Sequence, residues 1–129
     1  MKTKYAVALS LLAGVAIGAV AVQGLHAQAK PKAYLVTESE LLDATALAAY
    51  LPKAREAIRA AGGNIDFIPA GGKVVSVVGE APKRAGISEW ESLEKAQAWI
   101  NSAERKALAP QRDKMQKVTR QFIIELPAN

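Results

Sequence analysis

Glu89 and Arg112 are the two residues whose side chains best suit a binding or catalytic site. Glu89 lies in Gly86–Glu91, a short segment that predicts a strand with apolar neighbours. An unpaired carboxylate in such a frame has a raised pKa and could act as a general base or ligand anchor, whereas Arg112 or Arg120 beside it would keep it charged. The planar guanidinium of Arg112 binds anionic groups well. The competing interpretations are a structural ion pair or an exposed strand end for Glu89, and a salt bridge for Arg112.

Other candidate residues have structural explanations. Asp43 precedes a helical pattern, where a carboxylate accepts the free amide hydrogens of the first turn. Tyr50 and Trp99 fall on apolar helix stripes, which predict core positions rather than a ligand cage. The pairs Gly62-Gly63 and Gly71-Gly72 lack the spacing of a phosphate-binding loop and therefore predict turns.

The first 29 residues have the layout of a secretory signal peptide. Lys2 and Lys4 precede an apolar run of 17 residues from Ala6 to Val22, and the small residues of Ala27-Gln28-Ala29 close the segment. An uncleaved anchor is the alternative, although the run is shorter than the 20 or so residues that a membrane span needs. We therefore expect residues 1–29 to be removed. The product would be one mature domain, residues 30–129, located in the periplasm or secreted and without stable membrane association.

The residue types left after such cleavage narrow the possible chemistry. The chain has no cysteine, and its one histidine, His26, lies within the leader, residues 1–29. Histidine-ligated haem, zinc sites built on His or Cys, thiol nucleophiles and histidine-based triads would all be excluded. We expect no metal and no cofactor. Carboxylates, Lys, Arg, Tyr and hydroxyl groups would have to carry any reaction.

The charge distribution gives no sign of a nucleic-acid partner. Loss of Lys2 and Lys4 with the leader lowers the formal charge from +5 to +3. The basic residues are interspersed with acids, as in Glu104-Arg105-Lys106, whereas a nucleic-acid binder usually gathers them on one face.

The mature sequence alternates between strand and helix patterns. One helix starts after Asp43 and should kink or restart at Pro52, and a second starts after Ser92, with Ser102 capping a further turn. Ala70-Gly71-Gly72 is either a hairpin turn or a bulge between two extended stretches. The predicted extended segments are Ala33–Ser39, Asn64–Pro69, Lys73–Gly79, Gly86–Glu91 and Val118–Leu126.

The resulting order, β-α-β-β-α-β, predicts an α+β domain with two helices on one face of an antiparallel sheet. Val74–Val78 and Phe122–Ile124 would place apolar side chains on both faces of their strands, whereas a sheet with one wet face should alternate cleanly. The open face should therefore be covered. In so short a chain the available cover is a second copy, so we expect a homodimer.

An ordered set of residues across the mature chain resembles the bacterial family DUF1330, a domain of unknown function. The matching residues are Tyr34-Leu35-Val36, Asp43, Gly62-Gly63, Gly71-Gly72, Gly79-Glu80, Glu89-Trp90-Glu91-Ser92-Leu93-Glu94, Ala96, Trp99, Ser102, Leu108 and Arg112. The chain departs from common members of that family at Trp90, Glu91, Ala103 and Arg105.

This resemblance implies a ferredoxin-like fold and a homodimer in which two sheets form a dimeric α/β barrel. The family has no agreed reaction, but relatives of that barrel include cofactor-independent monooxygenases, isomerases and lyases. The expected function is a small-molecule binding module with Glu89 and Arg112 as its polar groups. A cofactor-independent enzyme that uses a carboxylate or Tyr together with an Arg is the alternative, and a purely structural role is a third possibility. An enzyme needs convergent polar groups in a buried pocket, whereas a binding module needs the pocket alone.

Overall fold

The computed structural model describes residues 30–68 and 70–128, apart from the Phe67 side chain. The predicted signal peptide, residues 1–29, lies outside the described residues. The elements follow the order of a ferredoxin-like α+β fold. They are β1 (Ala33–Leu41), α1 (Ala44–Ala60), β2 (Asn64–Ile68), β3 (Arg84–Trp90), α2 (Leu93–Asn101), α3 (Ala103–Met115) and β4 (Gln116–Glu125).

The four strands form one antiparallel sheet in the order β2-β3-β1-β4. The predicted strands Ala33–Ser39, Asn64–Pro69, Gly86–Glu91 and Val118–Leu126 are confirmed with shifted ends. Pairing of β1 with β4 changes register between Glu38 and Ser39. The first strand, β1, therefore lies inside the sheet, and the last strand, β4, pairs with it and forms one edge.

The helix starts follow from local capping. Asp43 accepts a hydrogen bond from the Ala46 amide at 2.9 Å, and Ser92 and Ser102 cap α2 and α3 in the same way. These side chains satisfy amide groups that have no partner inside the helix. The second predicted helix is accordingly divided at Ser102, because that residue has an extended backbone between α2 and α3. Of the two predicted effects of Pro52, a kink or a restart of the first helix, the restart is wrong, since α1 continues through Pro52.

The segment Lys73–Gly79 is not a strand, contrary to the prediction from its valines. It belongs to an irregular connection between β2 and β3, and Val77 and Val78 are 92% and 93% exposed. Strand preference depends on packing against neighbouring strands, and these valines have no such neighbour among the described residues. The glycines before them lie at a turn, with Gly71 at φ +102°. Both predicted alternatives, a hairpin turn and a bulge, are wrong, because Lys73–Gly79 is not a strand.

The core lies between the helices and one face of the sheet. Trp90, 1% exposed, stacks on Trp99 with ring centroids 6.2 Å apart. Gly63 lets the Trp90 ring approach the end of α1, because a Cβ at Gly63 would lie 2.7 Å from that ring. The other buried apolar residues are Ala33, Leu35, Leu47, Tyr50, Ala54, Ala96, Leu108 and Met115.

Candidate functional site

A cavity of about 160 Å³ lies between the helix-facing side of the sheet and helices α1 and α3. The alternating residues Leu35, Thr37 and Ser39 of β1 form part of its floor, since side chains in a strand point to the two faces in turn, and residues 84–88 of β3 also line it. Its apolar wall comes from Leu35, Tyr50, Leu51, Ala54, Ile58, Trp99 and Leu108. The cavity therefore offers an apolar surface comparable in volume to an engineered cavity of about 150 Å³ that binds benzene.

Arg84 supplies one polar group of this wall. It begins β3 on the same face as Ser88, and its Nη1 donates to Oε1 of Gln116 at 3.0 Å. Ser39 donates to the same Gln116 oxygen at 3.5 Å, near the upper limit for a hydrogen bond. Burial lowers the pKa of Arg84, and the nearby positive charge of Arg55 lowers it further.

Arg105 supplies a second polar group, and a glutamine orients it as Gln116 orients Arg84. Its Nη2 donates to Oε1 of Gln121 at 2.7 Å, while Nε2 of Gln121 donates to Oγ1 of Thr37 at 2.8 Å. Its Nη1 also donates to the Ile100 carbonyl at 3.4 Å. Burial lowers the pKa of Arg105, and the positive charge of Arg112 acts in the same direction. A strand-to-strand polar contact thus fixes the glutamine that orients this guanidinium.

Arg112, a predicted site residue, also lines the cavity and lies about two helical turns beyond Arg105 on the same face of α3. Its side chain is 19% exposed, and its Nε donates to the carboxylate of Asp113 at 2.9 Å. Tyr50 lies near both arginines. Burial raises its pKa, an effect that the charges of Arg112 and Arg105 oppose, so at neutral pH the phenol keeps its proton and can only donate or accept a hydrogen bond.

Glu89, the other predicted site residue, lies on the opposite face of the sheet. Its carboxylate accepts a hydrogen bond from the Tyr34 hydroxyl at 2.9 Å and forms an ion pair with Lys32 at 3.2 Å. The Tyr34 hydrogen bond and the Lys32 contact lower the pKa of Glu89, so the group is charged rather than poised as a base. The structure therefore does not bring Glu89 and Arg112 together, and Arg120 pairs with Glu38 instead.

Arg84 and Arg105 were missed as site residues in the sequence, although a signal for both was present. Arg105, Leu108 and Arg112 recur at spacings of three and four, which places them on one face of a helix. Arg84 and Ser88 are four residues apart on a strand, and such residues share a face. The other early assignments are accounted for by the fold, with Asp43 as a helix cap and Trp99 in the core.

Metal-ligand clusters and membrane-spanning helices are both absent from the described part of the chain. Across residues 30–68 and 70–128, no three His, Cys, Asp or Glu side chains come together in a way that could hold a metal ion. Within the same ranges, no helix is both long and apolar enough to cross a membrane.

Residues 32–126 match the family described as "Domain of unknown function (DUF1330)". The chain belongs to the DUF1330 family. This match confirms the family that the sequence resembles. It includes the cavity arginines Arg84 and Arg105 and their glutamine partners, Gln116 and Gln121. The family description assigns no reaction or ligand. No curated protein matches the chain.

Two solved structures share the fold of this DUF1330 protein. One is the RPA0582 protein of unknown function from Rhodopseudomonas palustris, at 18% sequence identity and a TM-score of 0.54, with 83% of this chain and 89% of that chain covered. The other is methylated RPA0582, at 17% identity and a TM-score of 0.54, with 83% and 87% covered. At such low identity the likeness concerns the fold alone.

Proposed function

We propose that this protein is an exported small-molecule binding module whose ligand occupies the cavity between the sheet and the helices. The observation that carries the proposal is the combination of apolar residues and several polar groups that line one partly open cavity. Its volume of about 160 Å³ suits a ligand the size of a single six-membered ring. A drug-sized molecule needs more room, since typical pockets for such ligands measure about 300–1,000 Å³.

The alternative, a cofactor-independent enzyme, has less support from this geometry. A general base is needed beside the arginines, but the described lining residues include no carboxylate, and Glu89 lies across the sheet. Tyr50 is the remaining candidate. Because burial raises its pKa, it is a poor base at neutral pH.

Calorimetric titration with benzyl alcohol, a neutral single-ring probe, tests the binding proposal. Ala54 is buried on the cavity wall, so the larger side chain of Ala54→Leu should fill part of the cavity. The affinity for benzyl alcohol should fall by at least about tenfold, because the probe then buries less of its apolar surface. Ala49→Leu makes the same change at an exposed position of α1 and should bind like the parent. Equal affinities of the two variants would contradict the location of the site.

We also propose that a homodimer covers the open face of the sheet. Ile87, Val36 and Phe122 are paired side by side across β3, β1 and β4, and Phe122 and Ile124 are 38% and 48% exposed. These apolar side chains form a row on the open face of the sheet, whereas a sheet face in contact with water normally carries polar side chains. Burial against a second copy removes such surface from water, at roughly 25 cal/mol per Å² before association costs.

Light scattering of the mature protein at micromolar concentration should give twice the chain mass. Phe122→Lys should reduce the mass to that of a monomer, while Val77→Lys, an equivalent change in the exposed connection, should not. A parent protein that is monomeric at this concentration would contradict the dimer.

Export is supported by the order of charge, apolar run and small residues in the leader, residues 1–29. Protein recovered from the exported fraction of the native host should begin at Lys30 by intact-mass analysis. A membrane fraction that retains the complete leader would contradict cleavage.

A further inference from the structure

Positive charge without an acid among the described lining residues is a distinctive feature of the cavity. Three arginines line the cavity, Arg84, Arg105 and Arg112, and the described lining residues include no aspartate or glutamate. All three are half-buried, and charges withdrawn from water are normally paired, because an isolated ion loses hydration without recovering it. An arginine cluster with no acid therefore calls for an explanation in terms of what enters the cavity.

Arg84 and Arg105 donate hydrogen bonds to neutral groups. Arg84 donates to the amide oxygen of Gln116, and Arg105 donates to the amide oxygen of Gln121 and to a backbone carbonyl. These contacts orient the guanidinium groups but leave their charge in place. Asp113 is the nearby acid: it forms an ion pair with Arg112, and its charge also acts on Arg105, although less than the opposing charge of Arg112 does.

Donor groups also remain available on both Arg84 and Arg105. A guanidinium has five N–H donors. Arg84 uses one of them and Arg105 uses two in contacts with the described part of the protein. Both side chains stay protonated at neutral pH, because an arginine guanidinium is not deprotonated in proteins.

We infer that the cavity takes a small organic carboxylate, whose oxygens accept hydrogen bonds from Arg84 and Arg105 and whose apolar body packs against the cavity wall. This inference rests on the proposed function and adds the chemical class of the ligand. Planar carboxylates match the fork of a guanidinium in two parallel hydrogen bonds. The apolar body follows from the apolar residues that line the same cavity, among them Leu35, Leu51 and Leu108.

A phosphate group also matches arginine, but it fits this cavity less well. Inorganic phosphate has no apolar part to occupy the space between Leu35 and Leu108. A phosphate ester has a tetrahedral head group that is larger than a planar carboxylate, and the cavity of about 160 Å³ already suits a single ring. The order of affinity should therefore be carboxylate first, with the phosphate ester weaker and inorganic phosphate weakest.

Titration of the parent protein with benzoate, benzyl alcohol, phenyl phosphate and inorganic phosphate tests this order at one fixed salt concentration. Benzoate should bind on the order of 10- to 100-fold more tightly than benzyl alcohol, as a charge-assisted hydrogen bond would provide. Arg84→Gln and Arg105→Gln should each lose about tenfold or more of the benzoate affinity, yet bind benzyl alcohol within about threefold of the parent. Arg105→Lys keeps the charge without the fork and should fall between Arg105→Gln and the parent.

Arg59→Gln is the matched control, because Arg59 forms an exposed ion pair with Asp66 outside the cavity, and its benzoate affinity should equal that of the parent. Cooperative unfolding of each variant shows that it is folded before its affinity is compared. Equal binding of benzoate and benzyl alcohol would overturn the inference and leave the proposed function standing. Failure of every probe to bind would overturn both, and tighter binding of phenyl phosphate or inorganic phosphate would replace the carboxylate with a phosphate.

Discussion

Replacement of Gly63 by alanine is the most direct test of how the fold is packed beneath the cavity. The added Cβ would lie 2.7 Å from Cγ2 of Ile58 and 2.7 Å from Cζ2 of Trp90, whereas ordinary van der Waals contact begins at 3.4 Å. Trp90 is almost fully buried and cannot swing away. The Trp90 indole also donates to Ser88 on the cavity floor at 2.9 Å, so a displaced ring would disturb the site as well.

We expect Gly63→Ala to lower the free energy of unfolding by about 1–3 kcal/mol, the usual range for overpacking a core. For a domain of this size, each kcal/mol corresponds to a melting-temperature decrease of roughly 4–8 °C. Urea unfolding followed by tryptophan fluorescence measures the change. Gly72→Ala is the control, because a Cβ there meets nothing within 4 Å and its backbone is not left-handed. Equal stability of the two variants would refute the close approach of Trp90 to Gly63.

Three further predictions concern the core, a helix cap and the open face. Trp90→Phe should lose about 1–3 kcal/mol in urea unfolding, because Ser88 then lacks the indole donor and the stack on Trp99 shrinks, and an unchanged midpoint would contradict this. Ser102→Ala should lose about 1 kcal/mol, since its hydroxyl caps α3 by accepting from the Arg105 amide, and Ser102→Thr should retain most of that stability. The Tyr34 hydrogen bond and Lys32 place the folded pKa of Glu89 below its ordinary value of 4.5, so its stabilising contribution is present above about pH 4.5 and is lost as the pH falls through the folded value. Glu89→Gln should therefore be less stable than the parent at pH 7, with a difference that shrinks in acid unfolding curves, and a constant difference would exclude this linkage.

The fold was predictable from sequence where the signals were local. Asp43, Ser92 and Ser102 cap helices as their residue types indicate, because the capping hydrogen bond spans only two or three residues. The valines of Lys73–Gly79 misled the prediction, since their strand preference is realised only beside another strand. That partner depends on contacts distant in sequence, which local composition does not encode.

The site was predictable only in part, for a similar reason. Arg112 was identified from the chemistry of its guanidinium, and it lines the cavity. Glu89 was assigned to the same site, but strand alternation places it opposite its neighbour Trp90, which points into the core. Its partner Lys32 precedes β1 and is brought close by the pairing of Tyr34 with Glu89. The arginine–glutamine contacts also join separate elements, so only the fold reveals that Arg84 and Arg105 share a wall.

A crystal structure of the protein grown with benzoate tests the central claim most directly, because it locates the ligand instead of inferring its position from affinity. The account predicts a ring between Leu35 and Leu108, with carboxylate oxygens within about 3 Å of the Arg84 and Arg105 guanidinium groups. Benzoate bound elsewhere, for example beside Arg120 on the open face, with the cavity between sheet and helices empty, would contradict it.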